Sequence, residues 1–174
     1  RLESIDSAYD SNLAVTSGTL TNTPTGIINF NVGTGGSRNL TANLDNQGTV
    51  NVNQTTFFNK SGGIYTNTGT FTIAAGKTLT ISGGAPVFNQ NGGTLTVSGS
   101  YTHNGTGTTV RGVLNLNGGT LAGTGPVSMT YGTLNVGIGS ALTPSFLLIF
   151  GNQNLAPAAT AAAGFTMTGN GAIS

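Results

Sequence analysis

The side chains in this sequence that could carry out chemistry are few, and their spacing does not suit a reaction. Four carboxylates occur: Glu3, Asp6 and Asp10 lie in the first ten residues, and only Asp45 lies further on. Glycoside hydrolysis generally needs two carboxylates that flank the scissile bond, and a calcium-dependent lyase site would need a cluster of acidic oxygen ligands. The sequence therefore predicts neither reaction.

The other residue types that commonly act in catalysis do not form a recognisable site either. His103 is the single imidazole, and the chain has no cysteine, so the several imidazole or thiolate ligands of a zinc site are missing and we predict no metal and no cofactor. A Ser-His-Asp triad would need His103 beside Asp45, two or three repeats away, and no nucleophile-elbow motif accompanies it. We interpret His103 as a turn residue within Tyr101–Gly105 and predict a protein that is not an enzyme.

The charge content limits the possible partners. Charged residues make up 5% of the chain, against about 25% in a typical soluble domain. The net charge is +1 and the basic residues are not clustered, so we predict no binding to nucleic acid or to an anionic membrane surface. No apolar run reaches the length of a membrane span. Because so low a charge density is a solubility hazard in a crowded cytosol, we favour a location outside the cell.

The backbone elements that would position any functional side chain are repetitive. The phrase Gly-x-apolar-x-apolar begins at Gly26, Gly48, Gly69, Gly93, Gly112 and Gly132, and weaker copies begin at Gly151 and Gly171. The steps between these glycines are 22, 21, 24, 19, 20, 19 and 20 residues. A period near 20 residues is typical of a solenoid, in which each repeat stacks on its neighbours.

Within each phrase, apolar residues alternate with Thr or Asn, which is the period of a half-buried strand. We predict that the second and fourth residues after each glycine form an inward core ladder: Val50, Val52, Phe71, Ile73, Leu95, Val97, Leu114, Leu116, Leu134 and Val136. The first and third residues should form an outward ladder, which is the candidate functional surface: Thr49, Asn51, Thr70, Thr72, Thr94, Thr96, Thr133 and Asn135.

Two further strand signals occur in most repeats. One is centred on Phe57, Leu79, Tyr101, Leu121 and Leu142, and the other on Ile64, Val87, Val110, Val127 and Leu148. Three short strands per repeat predict an all-β fold, a parallel β-helix (β-solenoid) with about 20 residues per rung. The alternative is an antiparallel β-sandwich with hairpins at the Asn-Gly and Gly-Gly turns, but a sandwich does not explain why the same phrase returns.

The chain divides into two parts. Residues 1–25 fit the repeat poorly and carry three of the four acids, so we predict an irregular N-terminal cap, or an arm that reaches a neighbouring subunit. Residues 26–174 carry the β-solenoid repeats.

The outward ladder contains two Thr-x-Thr pairs on adjacent repeats, Thr70 with Thr72 and Thr94 with Thr96. Such a regular threonine array resembles the faces of β-helical ice-binding proteins. The alternative interpretation is that β-branched threonine simply suits an exposed strand face.

The segments Asn115–Leu121 and Gly93–Gly99 resemble the rungs of bacterial surface β-solenoid proteins, namely filamentous-haemagglutinin-type adhesins and autotransporter passengers. The resemblance covers most of the chain from Gly26 onward. It implies a right-handed parallel β-helix, a bacterial origin, secretion, and a role as a stalk, adhesin or fibre.

We therefore expect a non-enzymatic extracellular structural protein of the bacterial surface, either a subunit of a self-assembling filament or a segment of a fibrous adhesin. The expected partners are copies of the chain stacked head to tail, with polysaccharide or a host surface as further candidates. The alternative function is an ice- or polysaccharide-binding β-helix that uses the outward ladder. A third hypothesis, a phage tail-fibre segment, requires the chain to form trimers.

Overall fold

The computed structural model describes residues 1–6 and 8–143, and beyond them the strand residues 146–155, 160–161, 165–167 and 172–173. The described residues form β-strands and no helix. The strands are β1 (Ser11–Asn22), β2 (Ile27–Phe30), β3 (Arg38–Asn46), β4 (Thr49–Val52), β5 (Thr56–Phe58), β6 (Ile64–Asn67), β7 (Thr70–Ile73), β8 (Thr78–Ile81), β9 (Val87–Gln90), β10 (Thr94–Val97), β11 (Ser100–His103), β12 (Gly107–Val110), β13 (Val113–Leu116), β14 (Thr120–Ala122), β15 (Val127–Val136), β16 (Ala141–Leu142), β17 (Phe146–Leu155), β18 (Thr160–Ala161), β19 (Phe165–Met167) and β20 (Ala172–Ile173).

The strands stack in parallel on three faces. Face A contains β2, β4, β7, β10, β13, the second half of β15 and of β17, and β20. Face B contains the first half of β1 and of β3, then β5, β8, β11, β14, β16 and β18. Face C contains the second half of β1 and of β3, then β6, β9, β12, the first half of β15 and of β17, and β19. The predicted parallel β-solenoid is confirmed, and the antiparallel sandwich is wrong.

Face A consists of the repeated phrases. The paired residues lie 22, 21, 24, 19 and 20 residues apart along the series Ile27, Thr49, Thr70, Thr94, Val113 and Thr133. The glycine that opens each phrase lies at the corner between face C and face A, close to the backbone of the preceding coil. A Cβ on Gly69 would lie 2.1 Å from the carbonyl oxygen of Gly48, and one on Gly93 would lie 2.0 Å from that of Gly69. Glycine therefore recurs because two coils cannot approach so closely with a side chain between them.

The core is a continuous apolar column through the coils. All ten residues of the predicted inward ladder are buried, with exposed fractions of 2% or less. Aromatic rings contribute a run of contacts, with centroid distances of 5.7 Å for Phe30–Phe58, 6.1 Å for Phe58–Phe71, 5.6 Å for Phe71–Phe88 and 5.8 Å for Phe88–Tyr101. Stacked coils bury like residues on like, so each coil stabilises its two neighbours.

The N-terminal segment packs on its own chain. Ser11–Asn22 forms β1, which pairs in parallel with β3, and Leu2 forms an isolated parallel bridge with Phe30. Residues 1–6 and 8–22 thus trace a first coil over the repeats. This coil is more open than the later ones, because Ile5 and Tyr9 are exposed and Leu13 and Leu20 are only partly buried.

The two weaker strand signals locate the strands but identify the inward residues incompletely. Leu79, Tyr101, Leu121 and Leu142 lie in one buried column, whereas Phe57 is partly exposed and its neighbour Phe58 is buried. Ile64 is 51% exposed on face C, and Val110 lies in a different column from it. The weak phrase at Gly171 begins outside the described residues, although β20 pairs with β17 where that phrase predicts a strand.

The three corners of the coil differ in length. The corner between faces A and B varies from two residues, 98–99, to seven, 31–37. The corner between faces B and C varies from no interruption, within β3, to five residues, 59–63. The corner between faces C and A varies from no interruption, within β15, to four residues, 23–26, and has two residues at 47–48, 68–69 and 111–112. The step between phrases therefore varies with all three corners, and most with the first two.

Candidate functional site

The outward residues of face A form two columns. Strand pairing puts Thr49, Thr70, Thr94, Val113 and Thr133 in one column, and Asn51, Thr72, Thr96, Asn115 and Asn135 in the other. The eight residues of the predicted outward ladder all belong to these columns, and Val113 interrupts the first one. Neighbouring residues within a column are about 4.8 Å apart and the columns are about 6.6 Å apart, as the strand geometry dictates.

The middle of face A carries a patch of four threonines, which we call the threonine patch: Thr70, Thr72, Thr94 and Thr96. Thr70 is exposed and the other three are partly exposed. Asparagines lie on both sides of the patch, and some of their amides bond along the column. Asn51 donates to Asn29 at 2.8 Å, and Asn135 donates to Asn115 at 2.7 Å. The patch therefore offers hydroxyl groups, each able to donate and to accept a hydrogen bond, on a regular grid.

A second polar column runs inside the solenoid, where the sequence analysis predicted no functional residue. We call it the amide ladder, and it comprises Asn22, Asn46, Asn67 and Gln90 at the ends of the face C strands. The side-chain amide of Asn22 donates to Asn46 at 2.6 Å, that of Asn46 to Asn67 at 2.5 Å, and that of Asn67 to Gln90 at 2.8 Å. Asn46, Asn67 and Gln90 are fully buried, and Asn22 is 6% exposed.

The amide ladder also fixes the corner that follows it. Asn46 donates to the carbonyl oxygens of Gly48 and Thr70, and Asn67 donates to those of Gly69 and Thr94. Each amide thus satisfies corner carbonyls of its own coil and of the next, as buried polar groups require. The sequence signal was Asn or Gln two residues before glycine, as in Asn46-Gln47-Gly48, but it is hard to notice in a chain so rich in asparagine.

Arg38 is a buried cation whose partners are backbone carbonyls. Its side chain is fully buried at the start of β3. Nε donates to the carbonyl of Asn31 at 2.8 Å, Nη1 to those of Gly35, Gly36 and Ser37 at 2.9, 3.2 and 3.0 Å, and Nη2 to that of Val32. Burial lowers the pKa of Arg38, and the carboxylates of Asp10 and Glu3 oppose that shift. The guanidinium therefore holds the long corner 31–37 in its conformation.

His103 differs from its interpretation as a turn residue. It is the last residue of β11, paired with Ile81, and it is only 1% exposed. Its ring stacks on that of Tyr101 at a centroid distance of 6.3 Å, and neither ring nitrogen has a partner among the described residues. Burial lowers the pKa of His103 to about 4. The side chain is thus a neutral component of the core at neutral pH.

The first coil that the structure describes leaves part of the apolar core uncovered. A cavity of about 200 Å³ there is lined by Arg1 and by six apolar side chains: Leu2, Leu13, Leu20, Ile27, Ile28 and Phe30. Leu2, Leu13, Leu20 and Ile28 pack against the core but are only partly buried. In the part of the chain that the structure describes, β1 pairs with β3 alone, so its other edge has no strand beside it. This side of the first coil combines an uncovered apolar core with an unpaired strand edge.

The charged side chains form one ion pair among the described residues. Arg1 forms an ion pair with Glu3 at 2.5 Å, Asp10 accepts a hydrogen bond from the backbone of Ser37, and Asp45 accepts one from Gln47. Among the described residues, no group of three or more His, Cys, Asp or Glu side chains could hold a metal ion.

No helix long and apolar enough to cross a membrane occurs in the described part of the chain. The chain matches no protein-family model, no curated protein and no solved structure.

Proposed function

We propose that this chain is a non-enzymatic structural protein of the bacterial cell exterior. It acts either as a subunit of a self-assembling filament or as a segment of a fibrous surface adhesin. The observation that carries the proposal is the uncovered side of the first coil, where an apolar cavity and the unpaired edge of β1 lie together. An unpaired strand edge is a template for adding another strand, and repeated end-on addition extends a rod without closing it.

The surface of the rod supports the same proposal. The columns of face A repeat one polar pattern on successive coils, so that each added coil extends a surface of the same chemistry. Only nine charged residues occur in the chain, five basic and four acidic. Neutral hydroxyl and amide groups therefore supply most of its polar surface, which suits a stalk that must not attract charged material along its length.

Immunogold electron microscopy tests this proposal. Antibodies raised against the purified chain are expected to label fibres outside the producing cells, because the fibre would present the side faces of many coils. Label confined to the cell interior, or spread over a surface without fibres, would contradict it. Microscopy of the purified chain at high concentration then separates the two versions, since only the filament subunit assembles by itself.

A second candidate function is ice or polysaccharide binding by the threonine patch. The observation that favours it is the exact pairing of Thr70 with Thr94 and of Thr72 with Thr96 on adjacent strands, which gives hydroxyl groups at regular intervals. A flat grid of this kind suits a repetitive ligand, because successive ligand units meet equivalent donors and acceptors.

Lysine substitutions in the threonine patch test the second candidate. Thr72→Lys and Thr96→Lys are each expected to reduce thermal hysteresis or glycan retention about tenfold, because a long charged side chain removes a hydroxyl and holds the ligand off the sheet, a loss of about 1.4 kcal/mol. Thr80→Lys is the matched control, since Thr80 is a partly exposed threonine on face B. Unchanged binding in both face A variants would rule the patch out.

A further inference from the structure

The amide ladder belongs to a column that runs through all the described coils. Strand pairing continues it from Gln90 to Val110 and Met129, and the register then brings Leu148 and Met167 to the same position. The column is therefore made of amides in the N-terminal coils and of apolar residues in the C-terminal coils. Val110 and Met129 are fully buried where the amides stop.

The hydrogen bonds of the ladder all point in one direction. In each pair the side-chain nitrogen of one coil donates to the side-chain oxygen of the next coil toward the C-terminus. The oxygens of Asn46, Asn67 and Gln90 thus each accept a bond from the preceding coil. The nitrogen of Asn22 is used by Gly26, Asn46 and Thr49, but no donor among the described residues reaches its oxygen.

The oxygen of Asn22 keeps access to solvent on the uncovered side of the first coil, whereas the oxygens of Asn46, Asn67 and Gln90 each accept a bond from the preceding coil. A coil that covered the Asn22 oxygen without offering a donor would leave it buried and unsatisfied, which is unfavourable. The Asn22 oxygen lies on the same side of the first coil as the unpaired edge of β1 and the apolar cavity. Each later coil presents this same combination of strand edge, apolar core and amide oxygen to the coil before it, where it is covered.

We propose that the N-terminal side of the first coil is a docking surface for another β-solenoid coil that carries Asn or Gln at the ladder position. Such a coil pairs with β1, fills the apolar cavity and donates its amide to Asn22. This inference rests on the second version of the proposed function, the segment of a fibrous adhesin, and specifies the neighbour of the first coil; a self-assembling filament would instead place a second copy there. The C-terminal coils of a second copy fit poorly, because apolar residues occupy their ladder positions.

An added coil tests the proposal in the full chain. Leu2 lies in one column with Phe30, Val52 and Ile73, so a duplicate of the segment Val52–Phe71 fused directly before Arg1 continues the stack in register. The duplicate of Asn67 then lies over Asn22. Hydrogen exchange of the β1 amides is expected to slow about tenfold or more, because the unpaired edge becomes an internal strand.

The matched control carries Asn67→Leu in the duplicate alone and is expected to show clearly weaker protection of β1. Unchanged exchange from β4 onward in every variant shows that the original coils remain folded. The proposal is overturned if the added coil gives no protection, or if the leucine version protects β1 equally. Protection of β1 in the unmodified chain that rises with protein concentration would also overturn it, since a second copy would then be the occupant.

Failure of this experiment is distinguishable from failure of the proposed function. If the added coil does not dock, immunogold labelling can still find a fibre outside the cells, because the fibre can form through other contacts. Conversely, a coil that docks on β1 through Asn22 establishes the surface even where no external fibre is labelled.

Discussion

Replacing Arg38 with methionine is expected to lower the free energy of unfolding by about 4 kcal/mol, because corner 31–37 would lose its hydrogen-bond donors. The Arg38 guanidinium donates to five carbonyl oxygens and is fully buried, so little water can take its place. Methionine fills much of the same volume but offers no donor. Urea unfolding of both proteins, followed by circular dichroism, measures the difference.

Two other variants sharpen this prediction. Arg111→Met removes the same charge from an exposed corner and is expected to change stability by no more than about 0.5 kcal/mol. Arg38→Lys keeps the charge but has one nitrogen in place of the planar fork, and its stability should fall between those of the wild type and Arg38→Met. A wild-type stability for Arg38→Met would show that the corner keeps its conformation without the guanidinium.

Acid is expected to destabilise this solenoid through His103, by about 3 kcal/mol between pH 6.5 and pH 4. In the unfolded chain the imidazole has a pKa near 6.5, whereas burial lowers the pKa of His103 to about 4 in the folded protein. Between these values the unfolded state binds a proton that the folded state does not. The free energy of unfolding is therefore highest above pH 6.5 and falls as the pH decreases toward 4.

The effect arises from burial, since no charged side chain contributes to that shift in the pKa of His103. His103→Ile is the matched variant, because the paired residue on the preceding coil is Ile81. Thermal unfolding of both proteins from pH 4 to pH 8 measures the difference, and the four carboxylates common to both cancel in the comparison. A parallel pH dependence in the two proteins would show that His103 does not titrate in this way.

The repeated phrase was enough to predict face A. Alternation with period 2 distinguishes the two sides of a strand, and Val50 and Val52 are buried while Thr49 and Asn51 are partly exposed. Because similar motifs pair with one another on successive coils, their regular spacing also predicted the parallel stacking. Face A was predictable because the local alternation and the long-range repeat both indicate the same strands.

The other two faces were less predictable, because their strands lack such a phrase. Thr56-Phe57-Phe58 has two adjacent aromatic residues, and alternation cannot decide which of them points inward. The structure buries Phe58 and leaves Phe57 partly exposed. Turns of varying length before each strand shift the register from coil to coil, so that spacing from the glycine does not determine a column.

The buried polar groups could not be predicted from residue type. Arg38 and the amides of the ladder are residues that usually lie at the surface. Their burial depends on backbone carbonyls and amides brought close by the coil, such as the carbonyl of Thr94 beside Asn67. Every residue has backbone groups of this kind, so the sequence does not indicate which of them the fold brings close to a given side chain. The same holds for His103, since only the fold reveals that its ring replaces an aliphatic side chain.

The unequal corners of the coil have a consequence for how such a chain can diversify. The corner between faces C and A joins the amide ladder to the glycines, where a Cβ on Gly69 would meet a carbonyl oxygen at 2.1 Å. Insertions there would disturb the pitch of the rod. The corner between faces A and B already ranges from two to seven residues without loss of pairing. The corner between faces B and C ranges from no residue to five in the same way. Evolution, or a protein engineer, can therefore graft new recognition loops along these two edges while the coil spacing remains constant.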